Sequence, residues 1–178
     1  LRAYLATFVA SPHAVALLVT ANDAPVGMVV GILHPDSHTR WVLRRQGVRL
    51  ALLGGIALVA RPRLALRFAR TRSARYRRAW SHRRRSPTTE PSGQSAVLSH
   101  VAVAPGAQGA GLGGQLVHAF VDAARVAGSP RCVLTTLAGG NGAAAFYRRQ
   151  GWIEGGRHCN FDGQAIIAFS LLLAPVQR

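Results

Sequence analysis

Four of the five glycines in the stretch APGAQGAGLGGQL, residues 104–116, stand close together at 109–114. Gly109, Gly111 and Gly114 are spaced i, i+2 and i+5, and Gly113 lies between the last two. Glycine has no Cβ atom, so a turn made of glycines lets phosphate oxygens reach backbone N–H groups. When such a turn opens a helix, the positive end of the helix dipole also favours an anion. The stretch therefore predicts a site for a phosphorylated ligand, with an ordinary tight turn as the alternative.

Two common phosphate-binding loops need chemical partners that this chain does not supply. The dinucleotide fingerprint requires an acidic residue about 20 residues further on, at the end of the next strand. No acid lies near Thr135, and after Asp122 the next acidic residue is Glu154. A nucleoside-triphosphate loop requires a lysine, and the chain has none. Neither a dinucleotide nor a nucleoside triphosphate is therefore the expected ligand.

The spacing of apolar residues predicts a mixed α/β fold around this loop. Two β-branched runs, at 14–20 and 25–33, flank the turn residues Asn22 and Asp23 and predict a β-hairpin, and the residues before it have helical spacing. The further predicted elements are a strand at 96–104, a helix from the glycine loop to Gly128, a strand at 132–137, a helix at 142–150 with Asn141 as its N-cap, and strands near 152–158 and 164–173.

The helix after the glycine loop is predicted to be amphipathic. Its expected buried face consists of Leu112, Leu116, Ala119, Phe120, Ala123, Ala124 and Ala127. Its expected exposed face consists of Gln115, His118, Asp122 and Arg125. The helix is thus expected to pack along one side of the sheet.

The length of 178 residues predicts one compact domain, 1–178, that buries a core without disulfides or metals. Its two cysteines, Cys132 and Cys159, fall in predicted strands and are expected to be buried, unpaired thiols of a reducing compartment. No signal peptide is visible. We therefore expect a cytoplasmic protein.

The positive charge is concentrated in one segment. The chain has a net charge of +16, and all 22 of its basic residues are arginine. Fifteen of these arginines fall between Arg40 and Arg85, where there is no acid. Arginines and aliphatic residues recur there at helical spacing on both sides of Arg61–Pro62, which predicts an insertion of two helices at about 37–90. The chain therefore combines a nearly neutral body with a strongly basic insertion.

Several roles remain open for this insertion. Its arginines can hold an acidic acceptor, form a solvated helix face, or bind an anionic membrane through residues 40–85, where apolar side chains accompany them. Binding of nucleic acid is supported only by the positive charge, because the segment shows no pattern of aromatic residues that would stack on bases. Nucleic acid is therefore not the expected partner. The longest apolar run, residues 50–60, is shorter than the roughly 20 residues of a membrane-spanning helix, so any membrane association should be peripheral.

Gln108 narrows the choice of ligand for the glycine loop. A Gln or Arg followed by x-x-Gly-x-Gly, after a strand written VAVAP and before an amphipathic helix, resembles the signature of the Gcn5-related N-acetyltransferases (GNAT). The stretch NGAAAFYRRQGW, residues 141–152, resembles that family's second signature, an Asn-x-x-Ala run followed by Tyr-x-x-x-Gly-Phe. The resemblance covers about residues 95–173, and the hairpin at 14–33 matches the family's earlier strands.

This resemblance implies a mixed, mostly antiparallel central sheet with a V-shaped splay between the strand at 96–104 and the strand at 132–137. It also implies that the family's first strand and helix precede Leu1. Acetyl-coenzyme A is the expected co-substrate, its pyrophosphate on the loop amides and its pantetheine arm along the strand, and no metal is expected. The implied binding residues are Val101, Val103, Gln108, Gly109, Ala110, Gly111, Leu112, Gly113, Gly114, Asn141 and Tyr147.

The catalytic residues implied by the resemblance are Tyr147 and His100. Tyr147 matches the family tyrosine that donates a proton to the departing thiolate, and a core tyrosine is the alternative. His100 lies in the strand beside the expected thioester, and histidine as a residue type can act as a base near neutral pH, so His100 is a candidate general base. A structural histidine, a water chain or a base from the insertion are the alternatives. Asn141 stands one residue after the family's asparagine position, so it either contacts the cofactor or only caps its helix.

The resulting hypothesis is an enzyme, an acetyl-coenzyme A-dependent N-acyltransferase. It would transfer an acetyl group directly to a primary amine on a small-molecule or peptide acceptor. A non-catalytic acyl-coenzyme A-binding or membrane-docking module of the same fold is the alternative. A bacterial protein is expected, cytoplasmic and at most peripheral at the inner face of the membrane.

Overall fold

The computed structural model describes residues 2–45, 95–139, 142–160 and 163–174. Its helices are α1 (Arg2–Ala10), α2 (35–45), α3 (Leu112–Val126) and α4 (Ala143–Arg149), with a 3-10 turn at Pro105–Ala107. Its strands are β1 (Ala14–Ala21), β2 (Ala24–Ile32), β3 (Ala96–Val103), β4 (Arg131–Leu137), β5 (Ile153–Cys159) and β6 (Ala165–Leu172).

The strands form one six-stranded sheet in the order β1-β2-β3-β4-β6-β5. β3 and β4 run parallel, and each other pair of neighbouring strands is antiparallel. Asn22 and Asp23 both have positive φ, 50° and 60°, as the tight turn between β1 and β2 requires. The predictions of a mixed, mostly antiparallel α/β sheet and of the hairpin are confirmed.

The two faces of the sheet are covered by different helices. α3 and α4 lie on one face, here called the α3 face, and pack on a buried core that includes Leu98, Leu134 and Phe169. The opposite face, here called the α1 face, carries His100, whose ring lies 6.4 Å from that of Phe8 in α1. A catalytic group on the sheet therefore has a different environment on each face.

The buried stripe of α3 differs slightly from the sequence prediction. Its buried residues are Leu116, Val117, Phe120, Val121 and Ala124. Ala119 was expected in this stripe but is exposed. The real stripe is rotated toward the larger valines because they fill more of the space over the strands.

Gly31 lets α3 approach the sheet closely. A Cβ atom at this position would lie only 2.2 Å from the ring of Phe120, which is fully buried. No other residue type fits without displacing that ring. This contact fixes the distance of α3, and of the loop that precedes it, from β2.

The chain divides into two compact units, Leu1–Arg40 with Ser92–Arg178 and, separately, Trp41–Pro91. The predicted insertion at 37–90 lies mostly outside the described residues, apart from α2, which begins at Pro35 rather than near Thr39. Within the ranges described here, no helix is long and apolar enough to cross a membrane.

Candidate active site

A gap opens in the sheet between β3 and β4. The two strands pair only at Ala96 with Cys132 and at Val97 with Val133. Immediately after this contact, Ser99 is an extra residue in β3, because Gly31 of β2 opposes Leu98 and its neighbour Val30 opposes His100. A bulge of this kind bends the bulged strand and increases its twist. The bulge thus accounts for the divergence, and the V-shaped splay predicted from the sequence is present.

The polar backbone groups of Val101 and Val103 face this gap. The N–H of Ala104 donates to the carbonyl of Val26 over 2.8 Å, so Val103 and Gly27 form a non-hydrogen-bonded pair of the β2–β3 ladder. In an antiparallel ladder such pairs alternate, and their N–H and C=O groups point away from the partner strand. Val101 and Val103 therefore offer donors and acceptors on the side where β4 has moved away, as an extended amide-containing arm needs.

The glycine loop ends in an open helix N-terminus. Gly111 is the N-cap of α3 and has a φ of 78°, a left-handed conformation that favours glycine, and Gly109 before it has a φ of 85°. No side chain of the described residues caps this helix, and its first turn carries no acid. Ala110, between the two glycines, and Leu112, the first residue of α3, complete the loop. The loop is therefore suited to an anion, because backbone N–H groups and the helix dipole point to one place.

Gln108 connects this loop to the gap. Its side-chain Nε2 donates a hydrogen bond of 3.1 Å to the carbonyl of Val103, the last gap-facing carbonyl of β3. The residue is exposed and ends the short 3-10 turn at Pro105–Ala107. The contact thus joins the expected pyrophosphate loop to the expected pantetheine strand.

The two remaining glycines of the motif lie where α4 packs against α3. A Cβ atom on Gly113 would be 3.5 Å from the ring of Phe146, and one on Gly114 would be 3.1 Å from Nε2 of Gln150. Phe146 and Gln150 were not singled out from the sequence, because their role depends on a contact between two helices. Gly113 and Gly114 therefore serve helix packing as well as the open backbone of the first turn.

Tyr147 follows Phe146 in α4 and lies on the α3 face. Its ring is 5.9 Å from the rings of both Trp152 and Phe169. Burial raises the pKa of the Tyr147 hydroxyl above its ordinary value of 10. The hydroxyl therefore keeps its proton at neutral pH, which suits a proton donor.

His100 lies on the α1 face of β3, in the part of the strand that has left β4. It is exposed, and its ring contacts Phe8 edge-on. His100 and Tyr147 are therefore on opposite faces of the sheet, and the structure does not bring them together as a hydrogen-bonded pair. An acceptor in the gap would meet them from two sides.

Asn141, which the sequence predicted as the cap of α4, lies outside the described residues. Gly142, with a φ of 77°, is the N-cap of α4, and the described residues provide no side-chain cap there. A left-handed N-cap favours glycine. The cofactor-binding role of Asn141 lies outside the described residues.

A buried polar pair near the start of the sheet was not found by sequence reasoning. Nδ1 of His38, in α2, lies 2.9 Å from Oγ of Ser11, and both residues are buried. Their separation by 27 positions leaves no local sequence signal. Across the described ranges, no group of three or more histidine, cysteine or acidic side chains is arranged to hold a metal.

The chain resembles several solved acetyltransferases. The ribosomal-protein-S18-alanine N-acetyltransferase of Escherichia coli has a TM-score of 0.57 at 14% identity, with 99% of this chain and 78% of that one covered. A candidate streptothricin acetyltransferase of Bacillus anthracis, solved in complex with acetyl coenzyme A, has a TM-score of 0.57 at 12% identity, with 93% and 66% covered. An acetyltransferase of Bacillus cereus has a TM-score of 0.51 at 14% identity, with 97% and 85% covered. These similarities show a shared fold.

No curated protein sequence matches the chain significantly. Residues 2–152, however, match the sequence profile of the acetyltransferase (GNAT) family, and this range includes both motifs and the splayed strands. The glycine loop, the gap and the strand order agree with that match. The chain therefore belongs to the acetyltransferase (GNAT) family.

Proposed function

We propose that this protein is an acetyl-coenzyme A-dependent N-acyltransferase that transfers an acetyl group directly to a primary amine of a small molecule or peptide. The observation that carries the proposal is the continuity of the gap with the glycine loop. Val101 and Val103 present backbone groups to the gap, and Gln108 ties that strand to an uncapped helix N-terminus. The structure of the Bacillus anthracis relative in complex with acetyl coenzyme A supports the choice of cofactor.

The residues of the chain would divide the work as follows. The amides of the glycine loop bind the pyrophosphate, and the gap-facing groups of Val101 and Val103 orient the arm that carries the thioester. Acetyl-coenzyme A supplies the activated acetyl group. Tyr147 holds a proton for the leaving thiolate, since burial keeps its hydroxyl neutral. His100 accepts the proton of the amine from the α1 face.

Release of free thiol from acetyl-coenzyme A, with a panel of primary amines, tests the proposal. General acid catalysis contributes about 100-fold or more, so Tyr147→Phe should lower kcat by at least about 10-fold. The same variant should bind coenzyme A with nearly unchanged affinity, because the loop does not depend on the hydroxyl. Tyr4→Phe makes the same chemical change elsewhere in the chain and should leave the rate unaltered.

The binding-module alternative has a different signature. Coenzyme A would then raise the thermal midpoint of the protein, but no amine in the panel would be acetylated. Failure of coenzyme A to bind at all would contradict both functions. His100→Gln tests the general base: this change should lower kcat if His100 is the base, and it should leave kcat unchanged if water fills that role.

The location of the protein is a separate proposal that rests on charge. The arginines between Arg40 and Arg85 support peripheral attachment to an anionic membrane surface from the cytoplasmic side. The full chain should co-sediment with vesicles that contain anionic lipid, and high salt should release it. Equal binding to vesicles of zwitterionic lipid alone, or no binding at low salt, would rule this attachment out.

A further inference from the structure

β5 forms one outer edge of the sheet. It ends the strand order, and within the described ranges no strand pairs with its outer side. An edge strand presents a row of backbone N–H and C=O groups to which a further strand can bind. Most residues of β5 are also exposed. The groups that β5 directs outward therefore decide which strand fits there.

The hydrogen bonds at the end of β5 show which backbone groups face outward. The N–H of Asn160 donates to the carbonyl of Gln164 over 2.8 Å, so these two residues form a hydrogen-bonded pair. Such pairs alternate with non-hydrogen-bonded pairs along an antiparallel ladder. Arg157, three positions before Asn160, opposes Ile167 and therefore belongs to a non-hydrogen-bonded pair. The N–H and C=O of Arg157 thus point away from β6.

Glu154 also faces outward, because β5 has a bulge. Glu154 opposes Phe169 and Arg157 opposes Ile167, so β5 has one extra residue between these two pairs. Ile167 and Phe169 are two positions apart on β6 and therefore have the same orientation. Glu154 and Arg157 thus both direct backbone groups outward. Their side chains share one face, where Nη2 of Arg157 donates to Oε1 of Glu154 over 3.2 Å.

These two residues are complementary to themselves in a second copy of the chain. When a two-fold axis relates two strands, residue i of one copy opposes residue j of the other, and j opposes i. With the axis between Gly155 and Gly156, Glu154 of each copy opposes Arg157 of the other. Opposite charges directly across an antiparallel pair stabilise it. An axis through Glu154 or through Arg157 would instead oppose like charges.

The two glycines leave the proposed axis free of side chains. Gly155 and Gly156 carry the bulge of β5, and a glycine in a strand lets another backbone approach closely. Because each copy has the same bulge, the outward groups of Glu154 and Arg157 keep their alignment across the axis. The bulge therefore matches its own copy, whereas a regular strand would lose register at this point.

Arg157 has donors left for a second carboxylate. Within one chain, Glu154 already accepts hydrogen bonds from Arg148 and Arg157. The Arg157 side chain nevertheless stays 66% exposed, and a guanidinium carries five N–H donors. Pairing of two copies would therefore extend each ion pair into a network.

Two large apolar side chains are exposed beside this edge, on the α1 face. Ile153 is 61% exposed and Leu172 is 72% exposed. They share a face, because Ile153 opposes Ser170 and Leu172 lies two positions further along β6. With the axis between the glycines, Ile153 of one copy opposes His158 of the other. The pairing therefore covers part of an apolar surface, which is favourable.

We propose that this protein forms a two-fold dimer in which the β5 strands of two copies pair antiparallel, with Glu154 of each copy opposite Arg157 of the other. The two sheets then continue into one another. The contact involves few residues, so the dimer is weak and depends on concentration. This inference does not depend on the proposed function.

Sedimentation velocity of the full chain, at a salt concentration that screens the repulsion between two basic proteins, is the first test. The average mass should rise toward twice that of the monomer between about 5 and 500 µM protein. Glu154→Arg and Arg157→Glu should each remain monomeric over this range, because each then opposes like charges at both contacts. An equimolar mixture of the two variants should recover the dimer, because both contacts regain opposite charges.

A matched control separates this contact from a general effect of charge. Arg149→Glu makes the same change as Arg157→Glu at an exposed position of α4 and should dimerise like the wild type. Circular dichroism and thermal unfolding show whether each variant is folded. If Glu154→Arg or Arg157→Glu does not fold, the unsubstituted protein provides the second test.

Spin labels on Cys159 measure the register in the unsubstituted chain. Cys159 is exposed and Cys132 is buried, so the native protein is labelled at Cys159. In the proposed pairing Cys159 opposes position 152 of the other copy, seven positions from the second label, and the bulge takes up one of them. At about 3.3 Å per residue the labelled backbones lie about 20 Å apart. An axis through Arg157 would place them less than about 15 Å apart, and one through Glu154 about 30 Å apart.

Four results would overturn the proposal. The first is a wild type that stays monomeric at the highest concentration. The second is a folded Glu154→Arg or Arg157→Glu variant that dimerises as readily as the wild type. The third is a mixture of these two folded variants that recovers no dimer. The fourth is a distance between the labels that matches one of the other two axes.

Discussion

The side-chain amide of Gln108 donates to the carbonyl of Val103 over 3.1 Å, across five positions of the chain. Val103 is the last residue of β3, and its carbonyl faces away from β2. The contact therefore fixes the direction in which the glycine loop leaves the strand. Gln108, which belongs to the sequence motif, thus connects the glycine loop to β3 within the candidate site.

Loss of this contact should weaken coenzyme A binding. A neutral hydrogen bond contributes about 0.5–1.5 kcal/mol, so Gln108→Leu should raise the Kd for coenzyme A by about 2- to 12-fold in calorimetric titration. Gln115→Leu removes the same amide from an exposed position of α3 and should change the Kd less. Tighter binding by Gln108→Leu would show that the amide competes with the ligand for Val103.

Gly31 should tolerate no side chain. Gly31→Ala places a methyl group 2.2 Å from Phe120, and overpacking of this kind costs about 1–3 kcal/mol of unfolding free energy. Chemical denaturation should show this loss. Gly106→Ala is the control, since no atom lies within 4 Å of its Cβ. The double variant Gly31→Ala, Phe120→Leu should recover part of the stability, and no recovery would place the cost elsewhere.

His38 should make the fold sensitive to acid. Its burial, followed by the charge of His13, lowers the pKa of His38 below its ordinary value of 6.5. The unfolded chain then takes up the proton first as the pH falls, so stability is lost from about pH 6.5 down to the lower folded-state pKa, at no more than about 1.4 kcal/mol per pH unit. Above pH 6.5 this contribution is constant.

Unfolding free energies measured between pH 7.5 and 5 check this expectation. His38→Gln should reduce the dependence of the unfolding free energy on pH at the acidic end of this range. His118→Gln, at an exposed position of α3, is the control. His13 and His34 lie next to each other near this site, with ring centroids 6.2 Å apart, and both are retained in the two variants. An unchanged slope in His38→Gln would assign the acid sensitivity to other groups.

The two cysteines should differ in reactivity. Burial raises the pKa of the Cys132 thiol to about 12, with Arg125 opposing this in part, whereas Cys159 is exposed near the end of β5. Only the thiolate reacts with an aromatic disulfide reagent, so the native protein should release one equivalent rapidly and the second only on unfolding. Cys159→Ser should abolish the rapid phase, and a rapid phase that persists would mean that Cys132 is accessible.

The sequence expectation of two buried thiols was therefore wrong for Cys159. Strand periodicity located both cysteines in strands, but it contains no information on which strand is the edge of the sheet. β5 is such an edge, and most of its residues are exposed. The same limit applies to the start of α4, because Gly142 occupies the N-cap position through its left-handed φ angle, which periodicity does not reveal.

Local patterns were sufficient for the elements and for the glycine loop. The spacing of apolar residues predicted the hairpin, the amphipathic helix α3 and the strands β3 to β6. The run from Gln108 to Gly114 predicted a glycine loop before a helix, and this loop leads into the N-terminus of α3. These features depend on residues within a few positions of one another, so short stretches of sequence contain their physical cause.

Relations between distant residues were decided by the tertiary structure. The bulge at Ser99 that directs β3 away from β4, the opposite faces of His100 and Tyr147, and the Ser11–His38 pair all involve groups from separate elements. Such contacts depend on which strands are neighbours and on how closely the helices pack, and no local periodicity encodes this. By itself the sequence therefore determined the elements and the glycine loop, whereas packing decided the gap and the two faces of the candidate active site.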